Sequence, residues 1–221
     1  MWETREHSIK ALQNELNIEA NNLYETFVSI ENVIEIFQSQ LQTSAFIRVT
    51  GLVFTKGINL ARGILSLSLD GLAQEAGALL RPFVESLELL IYFRLDSGRV
   101  NKVLDNNLKT PSAGEIAKKV KGEYKELREH LNKYASHFSI GPESMANIIN
   151  LNDGELRKIP PFNKAILRKN IIIVNVFSIL LVKEAINCLL TENIYVPSEL
   201  VETLESLRKI IVAQWNIESS A

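Results

Sequence analysis

Hydrophobic residues near the start of the chain recur at steps of three or four positions. These residues are Ile9, Leu12, Leu16, Ala20, Leu23, Phe27, Ile30, Ile34, Phe37 and Leu41. A repeat of about 3.5 residues places them along one edge of a helix. The pattern therefore predicts a long N-terminal helix or arm over residues 1–42. Its apolar edge either packs against the rest of the same chain or forms the seam of a dimer.

Residues 57–96 are strongly apolar, and the dipeptide Asp70-Gly71 interrupts them with a turn signal. This pattern predicts two helices that fold back on each other at the dipeptide. Pro82 in the second helix either bends the helix axis or marks a helix restart near Arg81, because proline lacks the backbone N–H that a helix interior needs.

Three charged residues stand in the second of these helices among apolar neighbours. Arg81 and Glu85 are four positions apart and Glu88 follows three later, so all three lie on one side of the helix. An unpaired buried charge would cost several kcal/mol. The three residues therefore form an internal ion pair, a partly exposed face, or a functional cleft lined by Arg81 and Glu85.

Start and stop signals predict the remaining helices. An apolar segment over residues 45–69 is predicted to be a helix, although three glycines at every sixth position can interrupt it. Ser112 and Glu115 have the spacing of a capping box, and apolar helices follow over residues 165–191 and 197–218. Strand signals are weak. The sequence therefore predicts an all-α, up-down helical bundle with a long N-terminal helix.

The composition indicates one globular domain without a strong charge bias. A chain of 221 residues is long enough for one sizeable core, so a single domain over residues 1–221 is expected. With 24 basic and 26 acidic residues the net charge is -2, which gives no global attraction to nucleic acid or to an anionic membrane. Any such contact requires a local patch.

Cysteine usage and hydropathy favour a cytoplasmic protein. Cys188 is the single cysteine and lies among apolar residues, which excludes an intramolecular disulfide and predicts a buried thiol. The N-terminus lacks the apolar core of a signal peptide. The most membrane-like run, residues 171–182, is shorter than the roughly 20 residues that a span needs.

Several kinds of active site have no motif in the sequence. Neither glycine-rich phosphate loop is present, and no HExxH or paired CxxC occurs, so no cofactor and no metal are expected. Glu85 and Glu88 form one ExxE pair, but a carboxylate metal cluster would need a second such motif with a histidine on a facing helix.

Two stretches together resemble a known family. LLRPFVESLELLIYF, residues 79–93, is followed by YKELREHLNKYASHFS, residues 124–139. The pair resembles the HEPN-like superfamily of all-helical domains from bacterial and archaeal defence and toxin–antitoxin systems. It is most similar to an uncharacterised branch with an Arg-x-x-x-Glu helix and a later histidine. The resemblance covers about residues 45–190 as a HEPN-like core, and it implies a homodimer because members often dimerise.

The resemblance also implies candidate site residues. Many members cut RNA without a metal, using an arginine, a following polar residue and a histidine four to six positions later. Asn132 and His137 match the polar residue and the histidine. Leu131 stands where the arginine would be, and the nearest arginine, Arg128, lies nine positions before His137. Arg81 with Glu85 matches the Arg-x-x-x-Glu helix, which in related domains supports the site or the core.

These features favour a degenerate or non-catalytic HEPN-like domain that acts through protein or RNA contacts in bacterial defence or toxin–antitoxin biology. One alternative is a metal-independent ribonuclease in which His137 acts as acid or base and Arg128 or Arg81 stabilises the phosphorane charge. Another is a purely structural helical adaptor. The expected partners are a second copy of the chain and an RNA or a protein, with no membrane.

Overall fold

The computed structural model describes residues 2–107, 109–120, 124, 149–150, 154–157, 159 and 161–219. The helices within them are α1 (Trp2–Asn14), α2 (Asn17–Gln40), α3 (Ala45–Leu69), α4 (Ala73–Arg94), α5 (Gly98–Asp105), α6 (Ala113–Lys119), α7 (Lys164–Thr191) and α8 (Ser198–Ser219). The described residues contain no strand, only an isolated antiparallel bridge between Ile149 and Leu156. The prediction of an all-α helical bundle is confirmed.

The long N-terminal helix is present as two helices, α1 and α2, with a break at Glu15 and Leu16. Leu16 leaves the helical conformation at φ −120° and ψ 29°, and its side chain is buried. Its backbone N–H donates to the Ala11 carbonyl at 2.9 Å. Asn14 and Asn17 flank the break, and asparagine competes with a helix by bonding nearby backbone groups. The Asn14 side chain does so, because its amide donates to the Lys10 carbonyl.

The bundle is built around α3 and α7, which pack against each other and each contact both α2 and α4. Helix α8 lies over α7 and beside α2. Leu23, Ile30 and Phe37 of the predicted apolar edge are buried in the same core as α3 and α7. The edge of α2 therefore packs within its own chain. Membership of a dimer stays a prediction.

The central hairpin of α3 and α4 turns at Asp70-Gly71, as predicted. Gly71 has φ +77°, a left-handed conformation that glycine adopts without a steric cost. Helix α4 continues through Pro82 without a restart, and α3 continues through its three glycines. At Gly57 an added Cβ would lie 2.7 Å from Leu181 Cδ2 of α7. The missing side chain thus lets α3 and α7 approach closely.

Local signals begin the other helices where the sequence places them. The Ser112 hydroxyl accepts from the Glu115 backbone N–H, and the Glu115 carboxylate accepts from the Ser112 backbone, which completes the predicted capping box of α6. The Ser112 backbone N–H and hydroxyl both donate to Glu115 Oε2, and these two hydrogen bonds lower the pKa of Glu115. The Asn163 side chain caps α7 by accepting from the Ile166 N–H at 3.1 Å.

Helices α3 and α7 are long and apolar enough to cross a membrane by length and composition. They are also the two helices at the centre of the bundle, and core helices share this composition. The expectation of a cytoplasmic protein without a membrane span stays a prediction.

Candidate functional site

The described part of the predicted site lies on α4. This helix carries Arg81, Glu85 and Glu88. Three other predicted site residues, Arg128, Asn132 and His137, lie outside the described residues. The geometry of the candidate site is therefore that of α4 and the helices packed around it.

Arg81 and Glu85 form an ion pair across one turn of α4. Arg81 Nε donates to Glu85 Oε1 at 3.0 Å, and the two side chains are 37% and 32% exposed. A pair with this much access to water stabilises a helix by only about 0.3–0.5 kcal/mol. Of the interpretations drawn from the sequence, the partly exposed face describes this pair.

Glu88 differs from this pair because it is completely buried. It follows Arg81 by seven residues, or about two turns, so the two side chains point in nearly the same direction from the helix axis. Their exposure therefore differs because of their position along the helix axis: the same face of α4 is partly open to solvent at Arg81 and is covered two turns later. The three charges predicted to share one surface thus occupy two environments.

A groove of about 300 Å³ lies beside Glu85. It is lined by α3, α4 and the start of α6, and its residues include Leu52, Lys56, Pro82, Glu85, Leu89 and Pro111. The walls are mostly apolar, with Lys56 and Glu85 as the charged groups. Such a groove can hold an apolar side chain and orient a polar group beside it. The predicted cleft therefore includes Glu85, but α3 as well as α4 forms its walls.

Lys56 and Pro111 of this groove were not predicted as site residues. Lys56 is one of several polar positions of α3, and such positions most often form a solvated face. Lys56 lines the same groove as Glu85 because α3 packs against α4, and no local sequence signal encodes this packing. Pro111 lies just before the capping box, whose sequence signal indicates only a helix start.

Among the described residues, Cys188 is the one cysteine that could act as a nucleophile. Burial, together with the negative charge of the Glu184 carboxylate, raises the pKa of the Cys188 thiol to about 12. The thiol is therefore protonated at neutral pH and is a poor nucleophile. No group of three histidine, cysteine, aspartate or glutamate side chains in the described part of the chain could hold a metal ion.

No protein-family model matches the chain, and no curated protein or solved structure matches it either. Fold and geometry define a class: an all-α helical bundle whose central hairpin carries a half-exposed arginine–glutamate pair beside a groove.

Proposed function

We propose that this protein is a HEPN-like helical domain, degenerate or non-catalytic, that acts through protein or RNA contacts in bacterial defence or toxin–antitoxin biology. The Arg-x-x-x-Glu helix of the resemblance is α4, which lies in the central hairpin. The observation that carries the proposal is the ion pair between Arg81 and Glu85, because it bears on whether Arg81 can serve catalysis.

Cleavage of RNA without a metal needs a cation that stabilises the negative charge of the phosphorane. Arg81 Nε already donates to Glu85, so the carboxylate offsets the positive charge that a phosphate would meet. At Leu131, where the resemblance calls for arginine, the sequence supplies no cation. Both features favour a domain that binds rather than cleaves.

The groove beside Glu85 supports a binding role. Its apolar walls and its two charged groups suit a peptide side chain or an unstacked base. A half-exposed Arg81 at this end of α4 can also contact an anionic partner, although a bound phosphate would compete with Glu85.

The decisive experiment is an RNA cleavage assay in EDTA with a fluorescent single-stranded RNA. We expect no cleavage above background by the wild-type protein, and no change in His137→Ala. His130→Ala is the matched control, since it removes a histidine from the same sequence segment. Cleavage that is lost in His137→Ala and retained in His130→Ala would establish the ribonuclease alternative.

Binding is tested separately by fluorescence anisotropy with the same RNA. Arg81→Ala should weaken RNA binding, whereas Arg62→Ala should not, because Arg62 pairs with Glu31 of α2 and neither residue lines the groove beside Glu85. Equal binding by both variants would remove Arg81 from the proposal. If the protein binds no RNA at all, a role in protein contacts and a role as a structural adaptor remain as the functional hypotheses.

Light scattering tests the homodimer, which would have twice the chain mass of 24.9 kDa.

A further inference from the structure

A second and larger groove lies between α2 and the start of α8, and neither helix lines the groove beside Glu85. Its volume is about 660 Å³. The two helices run antiparallel: Asn22 bonds Gln214 near one end, at 3.4 Å, and residues 25–39 of α2 face residues 197–203 across the groove. At 1.5 Å per residue, the wall that α2 gives to the groove is about 21 Å long, or about four turns, whereas residues 197–203 give a wall of about 9 Å.

The groove is lined by apolar, uncharged polar and acidic residues. Val28, Ile36, Pro197 and Leu200 contribute apolar surface, and Ser29, Asn32, Ser39 and Thr203 contribute uncharged polar groups. The charged residues that line it are Glu25, Glu35 and Glu199, and all three are glutamates. A groove that combines apolar surface with charges of one sign can receive an amphipathic helix of the opposite charge.

The acidic character extends along α2 and the start of α8. Helix α2 has four glutamates and no lysine or arginine. The first turns of α8 carry Glu199, Glu202 and Glu205, and basic residues begin at Arg208, which pairs with Glu205. The overall net charge is only -2, so acidic groups are concentrated here. Phosphate groups would be repelled from this surface, and cationic side chains would be attracted.

These groove carboxylates differ from the other glutamates of α2. Glu19 is paired with Arg168 at 2.7 Å and Glu31 with Arg62 at 3.6 Å. Within the described residues, Glu25, Glu35 and Glu199 make no ion pair. Their charges are thus available to a partner.

We infer that this groove binds a lysine- or arginine-rich amphipathic helix of a partner protein. The apolar face of that helix packs on Val28 and Ile36, and its basic residues pair with the glutamates that line the groove. A second copy of this chain is a poorer occupant. Helix α6 bears Lys118 and Lys119, but its apolar residue Ile116 is already buried in its own core. The inference does not depend on what binds beside Arg81 and Glu85.

The test uses a fluorescein-labelled peptide of about 15 residues, with leucine at helical spacing and lysine elsewhere. Its binding to the full chain is followed by anisotropy at low ionic strength, beside a scrambled peptide of the same composition. Glu25→Gln, Glu35→Gln and Glu199→Gln are combined in one variant. We expect this variant to bind the peptide about tenfold more weakly than the wild type, through the loss of three exposed pairs.

A charge-matched control separates the groove from general attraction between opposite charges. Glu3→Gln, Glu6→Gln and Glu75→Gln remove three glutamates from α1 and the start of α4, and this control should bind like the wild type. Val28→Ser removes apolar surface from the groove without changing its charge and should also weaken binding. Thermal unfolding confirms that each variant is folded.

Three results would overturn the inference. Equal weakening by the groove and control variants would show attraction to overall charge alone. Equal binding of the scrambled peptide would show that no helix is recognised. A protein that is dimeric by light scattering, and becomes monomeric in the groove variant, would identify a second copy as the occupant.

Discussion

Gly57→Ala probes the point where three helices meet in the core. Gly57 of α3 is buried, and an added Cβ would lie 2.7 Å from Leu181 Cδ2 of α7 and 3.3 Å from Ser86 Cβ of α4. The first distance is shorter than real Cβ contacts allow. Leu181 is completely buried and cannot swing into solvent, and Ser86 Cβ is fixed to the backbone of α4. A methyl group at this position must therefore move a helix or distort a side chain.

Two opposing effects set the magnitude. Alanine is favoured over glycine inside a helix by about 1 kcal/mol. Overpacking a close-packed core by one methyl group costs about 1–3 kcal/mol. Because both neighbours at Gly57 are constrained, the packing cost should exceed the helix gain. We expect Gly57→Ala to lower the free energy of unfolding by about 1 kcal/mol.

Urea unfolding followed by circular dichroism measures this change, as a lower midpoint at an unchanged m value. Gly63→Ala is the matched control in the same helix, because its Cβ would meet only the tip of the partly exposed Leu79 at 3.0 Å. Gly63→Ala should be neutral or stabilising by up to about 1 kcal/mol. The cost of Gly57→Ala should also shrink in a Leu181→Val background, which removes the clashing methyl group.

If Gly57→Ala stabilised the protein as much as Gly63→Ala, α3 and α7 would not approach as closely as the structure places them. The packing of α3 against α7 described above would then be wrong.

Three further predictions follow from buried or paired groups. Folding raises the pKa of Cys188 to about 12, so the contribution of the protonated thiol to stability is complete below its unfolded pKa and declines as pH rises toward 12. A thiol reagent at neutral pH should label the native protein far more slowly than the urea-unfolded protein. Equal labelling rates would contradict the burial of the thiol. Ser178→Ala should leave the free energy of unfolding in urea unchanged or raise it by up to about 1 kcal/mol. The reason is that the completely buried Ser178 hydroxyl has no hydrogen-bond partner in the described structure. A marked loss of stability would show that the hydroxyl is hydrogen-bonded. Arg5→Lys should lower the free energy of unfolding, measured in urea, by about 1 kcal/mol. Lysine cannot reproduce the two parallel hydrogen bonds that Arg5 donates to the Asp70 carboxylate at 2.6 and 2.7 Å. Equal stability of Arg5→Lys and the wild type would show that only the charge of Arg5 matters.

The helices could be predicted because their signals are local. The capping box of Ser112 and Glu115 acts over three residues, and Gly71 satisfies a backbone conformation at one position. The sequence was less informative where local order and tertiary packing compete. The break between α1 and α2 occurs where Leu16 is buried in the core, although the apolar spacing continues through it.

The candidate site was predicted in part for the same reason. The spacing of Arg81 and Glu85 determines their ion pair within one helix. Spacing cannot tell that Glu88, nearly in line with Arg81, is completely buried while Arg81 is half exposed, because burial depends on which elements cover each turn. Lys56 faces the same groove as Glu85 only because α3 packs against α4.

By itself, the sequence determined the all-α class, the hairpin turn and the Arg81–Glu85 pair, because periodicity, caps and helical spacing act over a few residues. Only the tertiary structure decided that Gly57 is a helix crossing and that Glu35 and Glu199 border one groove. Residues so far apart in the chain meet through packing, and packing depends on the shapes of all the helices together.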